Sequence, residues 1–500
     1  MEEDPADALA INWDTNDRSK KRLNPYRVDP KCTEEFGMNV IEIVSDTLRR
    51  DYLGCYGNDW VHTENLDDFA TSSLVFDKAY IASFPTIPHR RDLFTGRYSF
   101  VYSKWLSRGP VPNLPREEII LSELLRQTGY ATMLIADTYH MIRDIHGFDR
   151  GFDGWWWIRG QEHDRFMTSP SGQPEERRKA VGTQYLRNVS LRRFESDYFV
   201  AQTMTSASKW LELNYDKHDK FLLHVDTFDP HEPWDPPKWY VDMYDPDWKG
   251  SDIIGGAYVE GKPDRQLAGS LSKDELDHLR ALYAGEVTLV DRWVGMLLEK
   301  IEDLGLFEDT AVIFTTDHGT YHGEHGYIRK CPHLYEEVAH IPLMIRIPDS
   351  ADGQRGRCNS LVQPPDLMPT ILELAGAPRP PTVQGRSLVP LLKGESLEER
   401  DVVVSSASLI EKNVVHSNLD ALRITATSKD WALIWPRSDA PPIDDLGVST
   451  QPELYYLPAD PKQVYNIYKE EQEVARNLHA KMIQFLKVNG TNTEILDHWR

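Results

Sequence analysis

Three groups of residues in this 500-residue chain carry side chains able to hold a cation or move a proton, and each lies where a strand should end. Asp46 follows the β-branched run Asn39–Val44. Asp317-His318-Gly319 follows Ala311–Thr316, with His322-Gly323-Glu324-His325-Gly326 and Lys330 beyond it. Asp226-Thr227-Phe228-Asp229-Pro230-His231 follows Phe221–Val225. In open parallel sheets, ligands bind at the carboxyl ends of the strands. One acid at such an end is ordinary, but Asp and His at three of them are not. Two carboxylates and an imidazole converging there, from Asp46, Asp317 and His318, suit a divalent cation. His322 and His325 are read as loop structure.

The elements that must position these groups alternate in kind. Further strand-like runs occur at Ala131–Ala136 and Ile341–Ile347, and helix-like segments at Ile119–Thr128, Leu276–Leu304 and Pro365–Ala375. Strands alternating with helices over more than 300 residues predict an α/β fold with a large, mostly parallel sheet covered on both faces. A polar boundary near Lys393-Gly394-Glu395-Ser396 divides this body, residues 38–395, from a smaller C-terminal α+β part, 396–500. There Val402–Ser406, Leu422–Thr427, Trp431–Trp435 and Glu453–Leu457 read as an antiparallel sheet, with a final helix over Glu470–Lys487. Residues 1–37 read as a polar surface arm. The charged segment 160–220 shows no clear pattern. Trp155-Trp156-Trp157 is expected to form a wall near the pocket, with at least two of the three rings in the core.

Composition excludes several classes. Lys plus Arg number 56 against 79 Asp plus Glu, a net charge of −23. Such a field disfavours nucleic acid and anionic lipid, yet local cations can still admit a small anion. No apolar run approaches the ~18 residues of a membrane span. The start Met1-Glu2-Glu3-Asp4 has no secretory pattern, so a cytoplasmic location is expected. Cys32, Cys55, Cys331 and Cys358 are too few and scattered for a disulfide scaffold, and are expected to be reduced and mostly buried. Assembly is left open, with a homo-oligomer allowed.

One further segment ties the pattern to a family. Thr86-Ile87-Pro88-His89-Arg90, continuing to Leu93-Phe94-Thr95-Gly96-Arg97, resembles the Cys/Ser-x-Pro-x-Arg signature of sulfatases in the alkaline phosphatase superfamily. Ser83-x-Pro85 fails the spacing. Asp46 with Leu53-Gly54-Cys55-Tyr56-Gly57, Asp317-His318-Gly319 with Gly323-Glu324-His325-Gly326 and Lys330, and Glu453-Leu454-Tyr455-Tyr456 with Asp460-Pro461 are similar to further family segments. The likeness spans roughly residues 38–485. It implies an alkaline phosphatase-like fold and an ester hydrolase, with Thr86 as nucleophile and metal contact beside Asp46, Asp317 and His318.

Departures from the family pattern shape the expected chemistry. Sulfatases oxidise their Cys or Ser to formylglycine, but the β-methyl of threonine blocks that aldehyde. Thr86 is therefore expected to act as a plain alkoxide lowered in pKa by the metal, as in superfamily phosphodiesterases. The family's Lys-x-His is replaced by Thr138-Tyr139-His140, with the lysine cation lost, and a second ligand Asp by Thr47. One metal is then expected, Mn²⁺ or Zn²⁺ before Ca²⁺ because of the imidazole. Arg90 and Lys330 would meet developing charge, and His231 or His140 would protonate the leaving oxygen. Phosphodiesters or phosphonate monoesters are the expected substrates. A sulfatase working without formylglycine, and a non-catalytic anion or metal binder, are the rivals.

Overall fold

The computed structural model describes residues 37–102, 114–142, 146–169, 182–252, 268–331, 333–409, 423–440 and 450–500. The arm expected at 1–37 and Cys32 fall almost wholly outside these residues. Fourteen strands are described: β1 (Asn39–Ser45), β2 (Leu74–Phe76), β3 (Ala131–Ala136), β4 (Gly154–Trp157), β5 (Phe221–Thr227), β6 (Thr310–Thr315), β7 (Tyr321–His322), β8 (Ile328–Arg329), β9 (Leu343–Arg346), β10 (Gly356–Cys358), β11 (Val403–Ser405), β12 (Arg423–Thr427), β13 (Trp431–Pro436) and β14 (Glu453–Tyr456).

Eight of them form one sheet in the order β10-β2-β9-β6-β1-β5-β3-β4. β1 lies at its middle, parallel to β5 on one side and to β6 on the other. Only β9 runs against its neighbours. The sequence of β1 explains its place. Val40 and Val44 pack into the core on one face of the sheet, Ile41 and Ile43 into the core on the other. Successive side chains in a strand point to opposite faces, so a run with apolar residues facing both ways is stable only when both faces are covered. One cover includes the helices Leu121–Gln127 and Leu367–Leu374; the other is built from Phe199–Asn214 and the long helix Lys273–Asp303. The long helix starts earlier than its apolar period suggests, because Ser272 and Glu275 close a capping box at its N-terminus.

A separate antiparallel sheet, β11-β12-β13-β14, is covered by the helix Gln472–Val488 through Ala475, Leu478, Met482 and Leu486. The large mixed, mostly parallel sheet with a smaller antiparallel one is the expected fold class.

Three expectations need correction. Trp155 and Trp156 are half exposed, not core residues, because β4 is the edge strand of the large sheet and exposes them on its rim. Of the described cysteines only Cys331 is buried; Cys55, in a short 3-10 turn, and Cys358, at the end of the edge strand β10, are half-buried. The unpatterned 160–220 stretch holds the helix Phe199–Asn214, whose buried side is made of small and polar as well as apolar residues and so hides its period. No helix is long and apolar enough to cross a membrane, among the described residues.

Candidate active site

The carboxyl ends of β1, β5 and β6 come together because these strands are neighbours in register, Val44 opposite Asp226 and Thr315. Asp46 follows β1, and its N–H donates to Thr227 O at 2.9 Å. Thr47 comes next with φ of +65°, a conformation that a β-branched residue adopts only under constraint. The constraint is visible. The Thr47 N–H donates to Asp317 Oδ1 at 2.8 Å, its hydroxyl donates to Asp46 Oδ1 at 2.6 Å, and its carbonyl accepts from the Tyr283 hydroxyl at 2.8 Å. One residue thus fixes the inner oxygens of both acids. His318 donates from Nδ1 to Gly319 O at 2.8 Å, which leaves Nε2 as a buried lone pair with no hydrogen-bond partner. Gly319 cannot be replaced cheaply: a Cβ there would lie 1.9 Å from Glu337 O.

Asp46, Asp317 and His318 are buried, and one ligand atom of each lies within 4.8 Å of the others. Burial, reinforced by the Asp317 charge, pushes the Asp46 carboxyl well above its usual range. Burial alone would raise Asp317 too, but His318 and Arg90 outweigh it and hold that carboxyl well below. Burial lowers His318 to about 4, so its ring is neutral and its lone pair available. A neutral imidazole, fixed through its second nitrogen and aimed at two crowded carboxylates, is the donor set of a divalent metal site.

Thr86 opens helix α2 (Thr86–Thr95), the second helix after α1 (Glu64–Thr71), and Gly96 ends it in the left-handed conformation with its N–H on Asp92 O. Thr86 is not the cap: Pro85 takes that position and no side-chain cap bond is made. Ser83, excluded by spacing, instead gives its hydroxyl to Asp92 Oδ1 at 2.9 Å and accepts from the Phe100 N–H. Arg90, one turn along α2, draws the cluster together. Its Nε and Nη2 donate to Asp226 at 3.0 and 2.9 Å. Its Nη1 donates to Asp317 Oδ2 at 2.5 Å and to Thr86 O at 3.4 Å. Nη1 also lies 2.9 Å from Asp46 Oδ2, an ion pair off the line of a hydrogen bond. Arg90 thus departs from the expected role of meeting substrate charge. Its donors are committed to three carboxylates, because only a guanidinium fork can neutralise them in so small a space. Thr138 likewise donates its hydroxyl to Asp226 Oδ1 and is fully buried.

The remaining expected residues line a second side. Lys330 Nζ contacts His231 Nε2 and lies 4.0 Å from Glu232. The His231 it meets lies five residues past Asp226, at the carboxyl end of β5. The His231 ring stacks on Phe228 with centroids 3.9 Å apart, and burial lowers it to about 4. His140 Nε2 lies 2.6 Å from Glu162 Oε2. His322 is structural as expected, its Nδ1 3.1 Å from the Tyr52 hydroxyl and its ring packed on Trp234 and Tyr283.

Three residues near the site were not singled out by sequence. Thr47 was seen only as a missing ligand. Glu162 lies in a stretch with no period. His89 is fully buried, both ring nitrogens without a hydrogen-bond partner, and burial lowers it to about 3. The three-residue step from Thr86, which puts both on one side of α2, was the available signal for His89.

Comparison with known proteins gives the family. The sulfatase family model matches residues 38–377. An arylsulfatase of Clostridium perfringens is 26% identical over 90% of this chain and 94% of its own length. An N-acetylglucosamine-6-O-sulfatase of Bacteroides thetaiotaomicron is 24% identical over 91% of this chain and 88% of its own. A phosphonate monoester hydrolase of Agrobacterium radiobacter has the same fold, with a TM-score of 0.69 at 21% identity over 90% of this chain and 95% of that one. The chain therefore belongs to the sulfatase family of the alkaline phosphatase superfamily, and is an ester-hydrolysing enzyme.

Proposed function

We propose that the enzyme cleaves phosphodiesters or phosphonate monoesters, with Thr86 as nucleophile and a phospho-threonine intermediate. The observation that carries this reading is a residue that cannot become an aldehyde, Thr86, opening α2 with its carbonyl on the same Arg90 nitrogen that binds Asp317. A divalent ion, Mn²⁺ or Zn²⁺ before Ca²⁺, would be held by those three side chains and the Thr86 hydroxyl, and would supply Lewis-acid stabilisation of charge.

The protein's own groups do the rest. Arg90 keeps Asp46, Asp226 and Asp317 in place and holds the first turn of α2 against them. The Thr86 hydroxyl releases its proton to solvent, and its oxygen bonds to phosphorus as the ester oxygen leaves. Lys330 balances charge on the phosphoryl oxygens. The His231 Nδ1 lies 2.6 Å from Glu232 O, so its Nε2 accepts from the Lys330 ammonium. The His231 ring is therefore neutral with Nε2 as acceptor: it orients the Lys330 ammonium, and the proton for the leaving oxygen falls to His140. Water then attacks phosphorus and frees Thr86.

A second reading is a sulfatase that works without formylglycine, supported by the arylsulfatase and glycan sulfatase among the relatives. Purified protein assayed on bis-p-nitrophenyl phosphate, p-nitrophenyl phenylphosphonate and p-nitrophenyl sulfate, with and without Mn²⁺, separates the two. Faster turnover of the phosphorus esters, with a phosphate or phosphonate mass adduct on Thr86 after acid quench, is expected. Turnover of sulfate alone overturns the phosphoester reading.

A further inference from the structure

The loop after β4 brings to the site a carboxylate that no motif marks. Glu162 holds a left-handed backbone conformation, φ of +46°, which costs a non-glycine residue on the order of 1 kcal/mol or more. The loop is pinned on both sides of it. Arg159 forks onto Asp164 at 2.7 and 2.6 Å, the Gly160 N–H donates to Asp164 Oδ2 at 2.8 Å, and the Gln161 amide donates to Asp229 Oδ1 at 3.0 Å. The last bond ties the loop to the Asp226–His231 segment. Held this way, Glu162 puts its largely buried carboxylate 2.6 Å from His140 Nε2. The contact lies off the line of a hydrogen bond, as is common at sites that tighten around a substrate. The His140 ring is 6.2 Å from that of Phe228, which stacks on His231. Burial would raise the Glu162 carboxyl, but His140 outweighs it and holds it below the usual range, with His231 and His163 adding to the effect.

We infer that Glu162 is a positioning residue for His140, and that the pair serves proton transfer to the leaving oxygen. A carboxylate on one ring nitrogen fixes the orientation and tautomer of an imidazole, leaving the other nitrogen to give and take the proton. The protonated ring gives its proton to the ester oxygen as the P–O bond breaks. Solvent reprotonates it before the next turnover, apart from the step in which water opens the phospho-threonine. The inference rests on the proposed hydrolase reading, and it assigns work to a residue held in a strained backbone conformation.

Leaving-group dependence tests it, since p-nitrophenolate departs unaided while phenolate needs a proton. In the holoenzyme, Glu162→Ala and Glu162→Gln are expected to lower kcat on phenyl phenylphosphonate by roughly 30-fold or more. The p-nitrophenyl ester should slow by less than about 3-fold, with KM little changed for both. His140→Ala should give the same pattern, and the double variant no further loss. Glu162→Gly, which suits the left-handed backbone, should show the same kinetics with a Tm at or above that of Glu162→Ala. Equal slowing of both esters, or none, overturns the inference. Should the wild-type enzyme cleave neither ester, the hydrolase reading fails on its own. The pair is then judged by nitrogen-15 histidine spectra: an unchanged His140 signal in Glu162→Gln refutes it, and a displaced one supports it.

Discussion

The two sides of the pocket are built on opposite plans. On one, Asp46, Asp226, Asp317, His318 and Arg90 are wholly buried, and Thr47 and Arg90 between them hold all three carboxylates. On the other, Lys330, Glu162 and His140 keep 13%, 22% and 30% of their side-chain surface and meet one or two partners each. The first side is preorganised: its charges neutralise one another and cannot move without breaking several bonds. The second is assembled from pairs on separate loops, which lets single residues change without collapse of the rest. Ester chemistry should therefore fail sharply on the first side and be tuned by degrees on the second.

The sharpest break is at Thr86. Thr86→Ala is expected to cut turnover by roughly 10³-fold or more while Tm stays put, because it removes the nucleophile and no cap bond. Retained rates in that variant would move the chemistry off α2. Next is Arg90→Met, which strands three buried carboxylates. A loss on the order of 3–5 kcal/mol is expected in urea unfolding, partly restored by Mn²⁺. A stable variant with no cation response would show that the acids do not need the guanidinium.

A pH prediction comes from just beneath the buried side. Burial disfavours the His224 cation, but its contacts with Asp226 and Glu42, the latter at 2.8 Å, win and raise it to about 9. A group raised on folding stabilises fully below its unfolded pKa of about 6.5 and loses that contribution as pH rises through the folded value. Stability should fall by an amount on the order of 3 kcal/mol between about pH 6.5 and 9, and His224→Gln should flatten that slope. The smallest effect is expected at the rim of the sheet. Trp155→Thr on the exposed edge strand should change unfolding stability by less than about 0.5 kcal/mol, whereas a core ring would cost about 3.

What could be read in advance was local. The runs Asn39–Val44, Phe221–Val225 and Ala311–Thr316 announced buried parallel strands because most positions on both faces were apolar or β-branched, and the acids after them marked the ligand end of the sheet. β2 and β10, three residues each, were too short to show a period. The acid cluster was legible because strand ends converge in any such sheet. The partners of those acids were not.

Strand-end placement alone grouped Asp46, Asp317 and His318, and covalent chemistry alone fixed that Thr86 could yield no aldehyde; the likeness to the family was what joined Thr86 to that group. Only the folded chain decided that Arg90 binds three acids, that Thr47 fixes two, and that Glu162 meets His140. Those contacts join residues up to 270 positions apart, and which side chain reaches which depends on packing that no local pattern encodes.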